Sequence, residues 1–293
     1  MGTKSALVQT ERVYDVPTRY REVVLTVSKK EILVGLLVNI WRSIPEGIRF
    51  PLLRLVQRNK PVNRWLMFRH AEMKDRANGK WDHLPPTEMR YRVGGSPDAE
   101  EFVKIGKTCA NDIQAALQQV GRDLSSFDRI LDFGCGCGRT LMHMKELAPN
   151  SQFDGIDIDA NAIAWCKRNL NFANFSLSKE TPPIDYEPNT FDCIYVISVF
   201  THLDEDYQCR WLEELQRIAK PGALVVLTVN GAKNGQGFFF ERSYEEGLFP
   251  AWYQNTYHSS DYVFENFGRY FEVLKHLPRS MNAHQDVVVL RKR

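Results

Sequence analysis

The chain has 293 residues, of which 43% are hydrophobic and 25% are charged, and its formal net charge is +2. These ordinary values exclude wholesale disorder, a collagen-like repeat and a polytopic membrane protein. The longest apolar run, residues 32–41, is about half of the roughly 20 residues that a bilayer crossing needs, and Asn39 interrupts it. The beginning of the chain has no apolar leader pattern. We therefore expect a cytoplasmic protein, with the peripheral membrane contact described below.

Six cysteines are present, and neither a C-x-x-C pair nor zinc-finger spacing occurs among them. In a chain without a secretory leader, this pattern predicts reduced thiols and neither a disulfide framework nor a structural zinc. The cysteines are Cys109, Cys135, Cys137, Cys166, Cys193 and Cys209.

Basic residues are concentrated near the N-terminus. Residues 1–80 hold 16 Lys and Arg against 7 Asp and Glu, a net charge of +9, whereas the remaining 213 residues carry −7. Between residues 31 and 76 the cations interleave with Leu, Ile, Phe and Trp, which favours contact with an anionic membrane or a lid over the rest of the chain. A solvated basic face is the alternative. We predict a basic, mainly helical extension over 1–95.

From residue 98 onward, helical and strand patterns alternate. Apolar residues at three- and four-residue spacing predict helices, and short β-branched runs predict buried strands. The predicted elements, in chain order, are a helix over 102–120, a strand over 129–133, a helix over 139–147, a strand over 153–157, a helix over 160–170, strands over 175–177 and 191–197, a helix over 207–218, a strand over 223–229, and two antiparallel strands near 270–274 and 286–290. Strands separated by helices of this length predict an α/β domain with a parallel sheet over 96–293.

The first predicted strand leads into the sequence Ile-Leu-Asp-Phe-Gly-Cys-Gly-Cys-Gly over residues 130–138. Glycines let the backbone pass close beneath a ligand, and the following helix offers unpaired N–H groups. Asp157 ends the next strand, 19 residues beyond Gly138, at about the spacing of a ribose-binding carboxylate. The spacing is G-x-G-x-G rather than the dinucleotide G-x-G-x-x-G. Asp132 beside the loop suits a cationic sulfonium and an amino group better than a pyrophosphate.

These residues resemble those of class I S-adenosylmethionine (SAM)-dependent methyltransferases. Residues 132–138 resemble the first motif of the family, 155–159 its acidic second motif, and 191–203 its fourth. Residues 215–222 resemble the helix that ends in Leu-Lys-Pro-Gly-Gly, although Ala223 replaces the second glycine. The resemblance implies a doubly wound, seven-stranded sheet of order 3-2-1-4-5-7-6 with strand 7 antiparallel, and SAM as the cofactor.

The resemblance also implies roles for particular residues. The glycine loop should line the methionine and ribose portions of SAM, Asp157 should hold the ribose hydroxyls, and Ile158 should lie against adenine. The end of strand four should lie near the transferred methyl group, and residues 178–180 occupy the usual adenine-contacting position without matching a specific pattern. The expected cofactor-binding residues are Asp132, Phe133, Gly134, Cys135, Gly136, Gly138, Arg139, Asp157, Ile158, Ile197, Ser198 and Val199.

His202 follows strand four and is the candidate general base, although it could equally be a structural hydrogen-bonding residue. Tyr257, His258 and residues 284–286 are further candidates.

The aromatic-rich insertion over about 231–268 is interpreted either as core or as a lid over the acceptor. Residues 197–198 are Ile-Ser, whereas a metal-assisted catechol-type mechanism would want an Asp there, so we predict no metal.

The acceptor is expected to be a small molecule, a sugar or a lipid-linked group. Nucleic acid is disfavoured because residues 197–200 lack the Asn- or Asp-Pro-Pro-aromatic sequence of base methyltransferases. Two alternatives from other classes stay open. One is a nicotinamide-dependent oxidoreductase, and the other is a non-catalytic SAM-binding module.

Overall fold

The computed structural model describes residues 60–232, 237–241 and 254–293. The chain divides into two compact units, Met1–Leu66 and Met67–Arg293, and the described part of the first is the start of a helix, α1 (Lys60–Asn78). The predicted membrane-contacting residues before position 60 lie outside the described residues. So does much of the predicted aromatic-rich insertion. No helix of the described residues is long and apolar enough to span a membrane.

Two further helices, α2 (Thr87–Gly94) and α3 (Ala99–Gln118), precede the sheet. Asp98 begins α3 because its side chain accepts a hydrogen bond from the backbone N–H of Glu101. The buried guanidinium of Arg90 in α2 pairs with Asp75 in α1 and donates to the carbonyls of Pro85 and Pro97, at 3.0 and 2.9 Å. Arg90 therefore joins α2 to the end of α1 and to the start of α3.

Within the described residues, seven strands form the main sheet, in the order β3-β2-β1-β4-β5-β9-β8. The first five strands are parallel, β9 runs antiparallel to β5, and β8 antiparallel to β9. With β8 and β9 as the sixth and seventh strands, the predicted order and the antiparallel strand are confirmed. The bounds are β1 (Arg129–Phe133), β2 (Gln152–Asp157), β3 (Ala173–Leu177), β4 (Phe191–Val196), β5 (Ala219–Gly231), β8 (Glu272–Met281) and β9 (Gln285–Arg291).

Helices cover both faces of this sheet. Successive strand residues point to opposite faces, so that Ile130 packs with α3, α4 and α5 in one core whereas Leu131 packs with α6 and α7 in the other. These helices are α4 (Leu141–Leu147), α5 (Ala160–Asn169), α6 (Glu205–Ile218) and α7 (Ser260–Asn266), and short 3₁₀ turns occupy Leu124–Ser126 and Phe267–Arg269.

Two short strands that the sequence pattern did not predict extend the sheet within the insertion. β6 (Phe238–Glu241) pairs antiparallel with β7 (Asn255–His258), and β7 pairs in parallel with Asn230 and Gly231 at the end of β5. The edge is available there because β9 pairs with β5 only as far as Val229. The insertion therefore begins at the carboxyl end of β5, on the side of the sheet where ligands bind in such folds.

Candidate functional site

A cleft of about 700 Å³ lies at the carboxyl ends of β1, β2 and β4. This volume is within the range of sites for small molecules and cofactors, and the position is where open α/β sheets bind their ligands. The glycine loop after β1, the end of β2 and the turn after β4 form three of its walls, and α2 contributes a fourth.

The glycine loop has backbone torsion angles that residues with a side chain adopt only at an energetic cost. Gly134, Gly136 and Gly138 have φ angles of 81°, 53° and 77°, in the left-handed region. The backbone N–H groups of Gly134 and Cys135 both donate to the carbonyl of Ile156, at 2.8 and 3.0 Å, so that the loop is fixed to the end of β2. A Cβ atom on Gly134 would lie 2.4 Å from Cγ2 of Val199, which shows how closely the loop and the turn after β4 approach.

The carboxylate of Asp157 joins β2 to the glycine loop. Its Oδ2 accepts a hydrogen bond from the N–H of Gly136 at 2.7 Å, and its Oδ1 accepts one from the N–H of Asp159 at 2.8 Å. Burial raises the pKa of Asp157, and these hydrogen bonds oppose that rise. An ionised carboxylate has about four acceptor positions, so each oxygen can also accept from a ligand hydroxyl.

Asp132 is a second buried carboxyl group in the cleft. It is 3% exposed, and burial raises its pKa to about 8, against the hydrogen bond that it accepts from the hydroxyl of Tyr195 at 2.8 Å. The register of β1 and β4 places Tyr195 directly beside Asp132. Near neutral pH the carboxyl group is therefore largely protonated until a cation approaches it.

The turn after β4 is strained. Ser198 has a φ angle of 58°, which is uncommon for a residue with a side chain and occurs disproportionately at functional sites. Its N–H donates to the hydroxyl of Thr228 at 2.8 Å, and its own hydroxyl donates to Gln285 at 3.0 Å. Hydrogen bonds to β5 and β9 therefore hold the turn in place. Ile197, Ser198 and Val199 line the cleft.

His202 lines the same cleft. Its Nδ1 lies 2.9 Å from the backbone carbonyl oxygen of Gln254, to which it donates as the N–H tautomer. Burial lowers the pKa of His202 to about 4, so the imidazole is neutral at pH 7. The other candidates do not line the cleft: His258 is fully buried beside Gln208, and Asp286 pairs with His276 at 3.0 Å.

The structure brings nearly all of the sequence-predicted cofactor residues to one place. Every predicted residue lines the cleft except Gly138, where an added Cβ would meet Leu170 at 2.5 Å, so Gly138 serves the packing of the loop. Residues 178–180 line it as well. Lining residues that the sequence reasoning missed are Arg92, Val93, Thr140, Ile156, Asp159, Ala160, Leu203 and Trp211.

Among these residues, Arg92 and Val93 belong to α2, which forms a wall of the cleft that the sequence did not predict. Val93 contacts the loop closely, because a Cβ on Gly136 would lie 2.7 Å from its Cγ2. Arg92 forms an ion pair with Asp159 at 2.9 Å. The sequence Arg-Tyr-Arg-Val-Gly-Gly over 90–95 was visible, but nothing local to it indicated which part of the fold it contacts.

These features form one site in an α/β domain, in which the carboxylate of Asp157 is hydrogen-bonded to the glycine loop. Residues 131–225 match the family model of a methyltransferase domain. Over these residues the chain is similar to methyltransferase domains. Within the described residues, no group of three or more His, Cys, Asp or Glu side chains is arranged to hold a metal ion.

Individual proteins similar to this chain cover only part of it. A probable methyltransferase of Aspergillus luteorubrus, ltbC, is 30% identical over 111 residues, which is 33% of this chain and 38% of that protein. An uncharacterised protein of Rickettsia prowazekii (strain Madrid E) is 26% identical over 106 residues, 35% of this chain and 42% of that protein. The matches thus span less than half the length of both curated relatives.

Among solved structures, the 1,6-didemethyltoxoflavin-N1-methyltransferase of Burkholderia thailandensis, with bound 1,6-didemethyltoxoflavin and S-adenosylhomocysteine, is similar at 17% sequence identity. The superposition covers 64% of this chain and 78% of that one, with a TM-score of 0.48.

Proposed function

We propose that this protein transfers the methyl group of SAM to a small-molecule, sugar or lipid-linked acceptor by in-line displacement, without a metal. The observation that supports this most is the hydrogen bond of 2.7 Å between the N–H of Gly136 and the carboxylate of Asp157. This hydrogen bond holds the glycine loop against the carboxylate of Asp157, beside the turn after β4.

SAM supplies a methyl group on a positively charged sulfur that is already a good leaving group. The residues of the cleft then have to bind, orient and exclude water. Asp157 would accept hydrogen bonds from the ribose hydroxyls, and Ile158, 44% exposed at the cleft, would offer an apolar surface to adenine. Asp132 would face the positively charged end of the cofactor.

Part of the cleft lining is apolar, and we propose that this part faces the acceptor. Val199, Leu203 and Trp211 line it beside the hydroxyl of Ser198 and the neutral imidazole of His202. Such a wall favours an acceptor that is uncharged at the reacting atom. His202 would accept a proton from a hydroxyl or amine acceptor as the new bond to carbon forms.

Calorimetric titration with SAM and S-adenosylhomocysteine tests the cofactor assignment. We expect saturable binding to the wild type and affinity reduced about 10- to 100-fold in Asp157→Asn, because hydrogen bonds to a charged group are each worth about 1.5–3 kcal/mol. Asp128→Asn is the matched control, since Asp128 is exposed and lies just before β1, at the opposite end of the strand. A wild type without saturable heat, or one that binds NADH instead, would refute the proposal.

The acceptor requires a separate experiment. SAM labelled in its methyl group, incubated with the protein and with candidate alcohols, amines, sugars and lipid extracts, should transfer label in the wild type. His202→Gln should lower kcat for a hydroxyl acceptor and leave the affinity for S-adenosylhomocysteine unchanged. A protein that binds the cofactor and labels none of these classes would be the non-catalytic module instead.

We also propose a peripheral contact with anionic membrane through residues 31–76. In the described part of this stretch, α1 exposes Trp65 by 49% and Leu66 by 43%, beside Arg64. Co-sedimentation with vesicles should show binding that requires phosphatidylserine and weakens in Trp65→Ala and on removal of residues 1–60. Equal sedimentation with and without the anionic lipid would contradict this contact.

A further inference from the structure

Three side chains outside the cleft form a continuous series of hydrogen bonds. Oγ of Ser260 lies 2.7 Å from Nδ1 of His276, and Nε2 of the same imidazole lies 3.0 Å from Oδ2 of Asp286. None of the three is among the described residues that line the cleft. The methyl transfer proposed above therefore does not use them, although a hydroxyl, an imidazole and a carboxylate in this order are the groups of a serine nucleophile and its base.

The fold brings these groups together from separate elements. Ser260 is the first residue of α7, whereas His276 and Asp286 belong to the antiparallel strands β8 and β9. His276 pairs with Val288, and Asp286, two residues before Val288, therefore lies on the same face of the hairpin. Val288 and Val263 of α7 belong to one core, so this is the face that α7 covers.

The carboxylate determines which nitrogen of His276 carries the proton. An ionised carboxylate only accepts hydrogen bonds, so a neutral imidazole beside it holds its proton on Nε2, and the lone pair of Nδ1 faces the hydroxyl of Ser260. The other oxygen of Asp286 accepts from the backbone N–H of Arg279 at 2.8 Å. A Cβ on Gly231 would lie 2.6 Å from Oδ2, so the end of β5 packs against the same carboxylate.

Exposure to solvent differs along the series. The side chains of His276 and Asp286 are only 3% and 8% exposed, whereas Ser260 is exposed. Packing thus fixes the imidazole and the carboxylate away from water, and the hydroxyl beside them is open to a molecule from solution. A nucleophile and its base require this arrangement, because the base must stay oriented while the hydroxyl meets a substrate.

We propose that Ser260 is a nucleophile that removes acyl groups from esters, with His276 as its general base and Asp286 as the residue that orients His276. Oγ of Ser260 attacks the acyl carbon while its proton passes to Nδ1 of His276. The bond from the acyl carbon to the alcohol oxygen breaks, and Nδ1 returns the proton to the departing alcohol. Water then attacks the acyl-serine through the same proton transfers, which releases a carboxylic acid and restores the hydroxyl.

A fluorophosphonate probe and p-nitrophenyl acetate test this activity, since the first labels a base-activated serine and the second releases a coloured product when its ester is cleaved. Peptide mass spectrometry should place the label of the wild type on Ser260. Ser260→Ala and His276→Gln should each lower the rate of ester cleavage about 100-fold or more, the usual contribution of a general base. Ser280→Ala is the matched control, because Ser280 also lies on β8 and its hydroxyl donates to the carbonyl of Pro278 instead.

Asp286→Asn distinguishes orientation of the base from a structural role. Its amide oxygen can still accept from the N–H of Arg279, but its NH₂ group would donate to Nε2 of His276 and leave the ring proton on Nδ1. We expect ester cleavage to fall about 100-fold or more, because the wrong nitrogen then faces the hydroxyl. Nitrogen NMR of labelled histidine should show this change of tautomer, while the circular dichroism spectrum matches that of the wild type.

An unlabelled wild type, or a label that maps to Ser280 or persists in Ser260→Ala, overturns the proposal. So does a wild-type His276 whose ring proton is on Nδ1, a result that does not depend on how well any variant folds. Equal rates of ester cleavage in the wild type and in His276→Gln would show that the series only joins α7 to the hairpin.

Discussion

The buried carboxyl group of Asp132 should make the stability of the protein fall as pH rises. An aspartate in an unfolded chain has a pKa of about 3.9, whereas burial raises that of Asp132 to about 8 in the folded protein. Between these values the folded state retains a proton that the unfolded state has lost. The free energy of unfolding therefore decreases with pH across this window and levels off above pH 8.

The magnitude follows from the two pKa values. Each pH unit inside the window changes the free energy of unfolding by about 1.4 kcal/mol, so the loss from pH 5 to pH 8 is roughly 3–4 kcal/mol. Asp132→Asn cannot titrate and keeps an oxygen that can accept from Tyr195. Its stability relative to the wild type should thus rise by this amount over the same range, whatever the offset between the two proteins at pH 5.

Urea unfolding of both proteins at pH 5, 6, 7, 8 and 9, followed by circular dichroism, measures this difference directly. Asp128→Asn is again the control, because it removes an exposed carboxylate that does not line the cleft. Tyr195→Phe removes the hydrogen bond that lowers the pKa of Asp132, so the pH at which the slope ends should move upward. If the difference between Asp132→Asn and the wild type is constant from pH 5 to 8, Asp132 is ionised in the folded protein and the reasoning is refuted.

Three other outcomes are expected. Gly106→Ala should destabilise the protein by about 1–3 kcal/mol in urea unfolding, because the added Cβ would lie 2.2 Å from the carbonyl oxygen of Arg139; Gly268→Ala, with nothing within 4 Å of its Cβ, should change stability by less than about 0.5 kcal/mol. His202 should show no titration between pH 5.5 and 8 in NMR spectra of labelled histidine, since burial lowers its pKa to about 4, and a midpoint near 6.5 would contradict its buried environment. Iodoacetamide at pH 8 should modify half-buried Cys209 well before Cys137, whose pKa burial raises to about 12, as peptide mass spectrometry can show; equal rates would mean that the glycine loop opens readily.

Local patterns predicted the sheet well. The run 129–133 is a strand because a short apolar segment before a glycine turn can be buried on both faces, and β1 has these same bounds. The β6–β7 pair was missed because its partner is the end of β5, many residues away. No pattern within 238–241 reveals that β9 stops pairing at Val229 and leaves that edge available.

In the site, too, residues that are close in sequence could be predicted, whereas contacts between distant segments could not. Consecutive residues of one loop, such as Gly134 and Gly136, could be assigned from their spacing, since one backbone turn brings them together. Tyr195 could not be assigned, because it meets Asp132 only through the register of β1 against β4. Arg92 and Val93 were missed for a related reason: they reach the cleft through α2, whose position depends on the buried contacts of Arg90.

The way in which the backbone of Ser198 is held has a consequence for how the lining of the cleft can vary. The left-handed backbone at Ser198 is fixed by Thr228 and Gln285, which belong to β5 and β9 and are not among the residues lining the cleft. Side chains that line the cleft, such as Leu203, can therefore be exchanged while the backbone of the turn keeps its shape. The strands of the sheet thus fix the backbone beside the cleft independently of the side chains that line it.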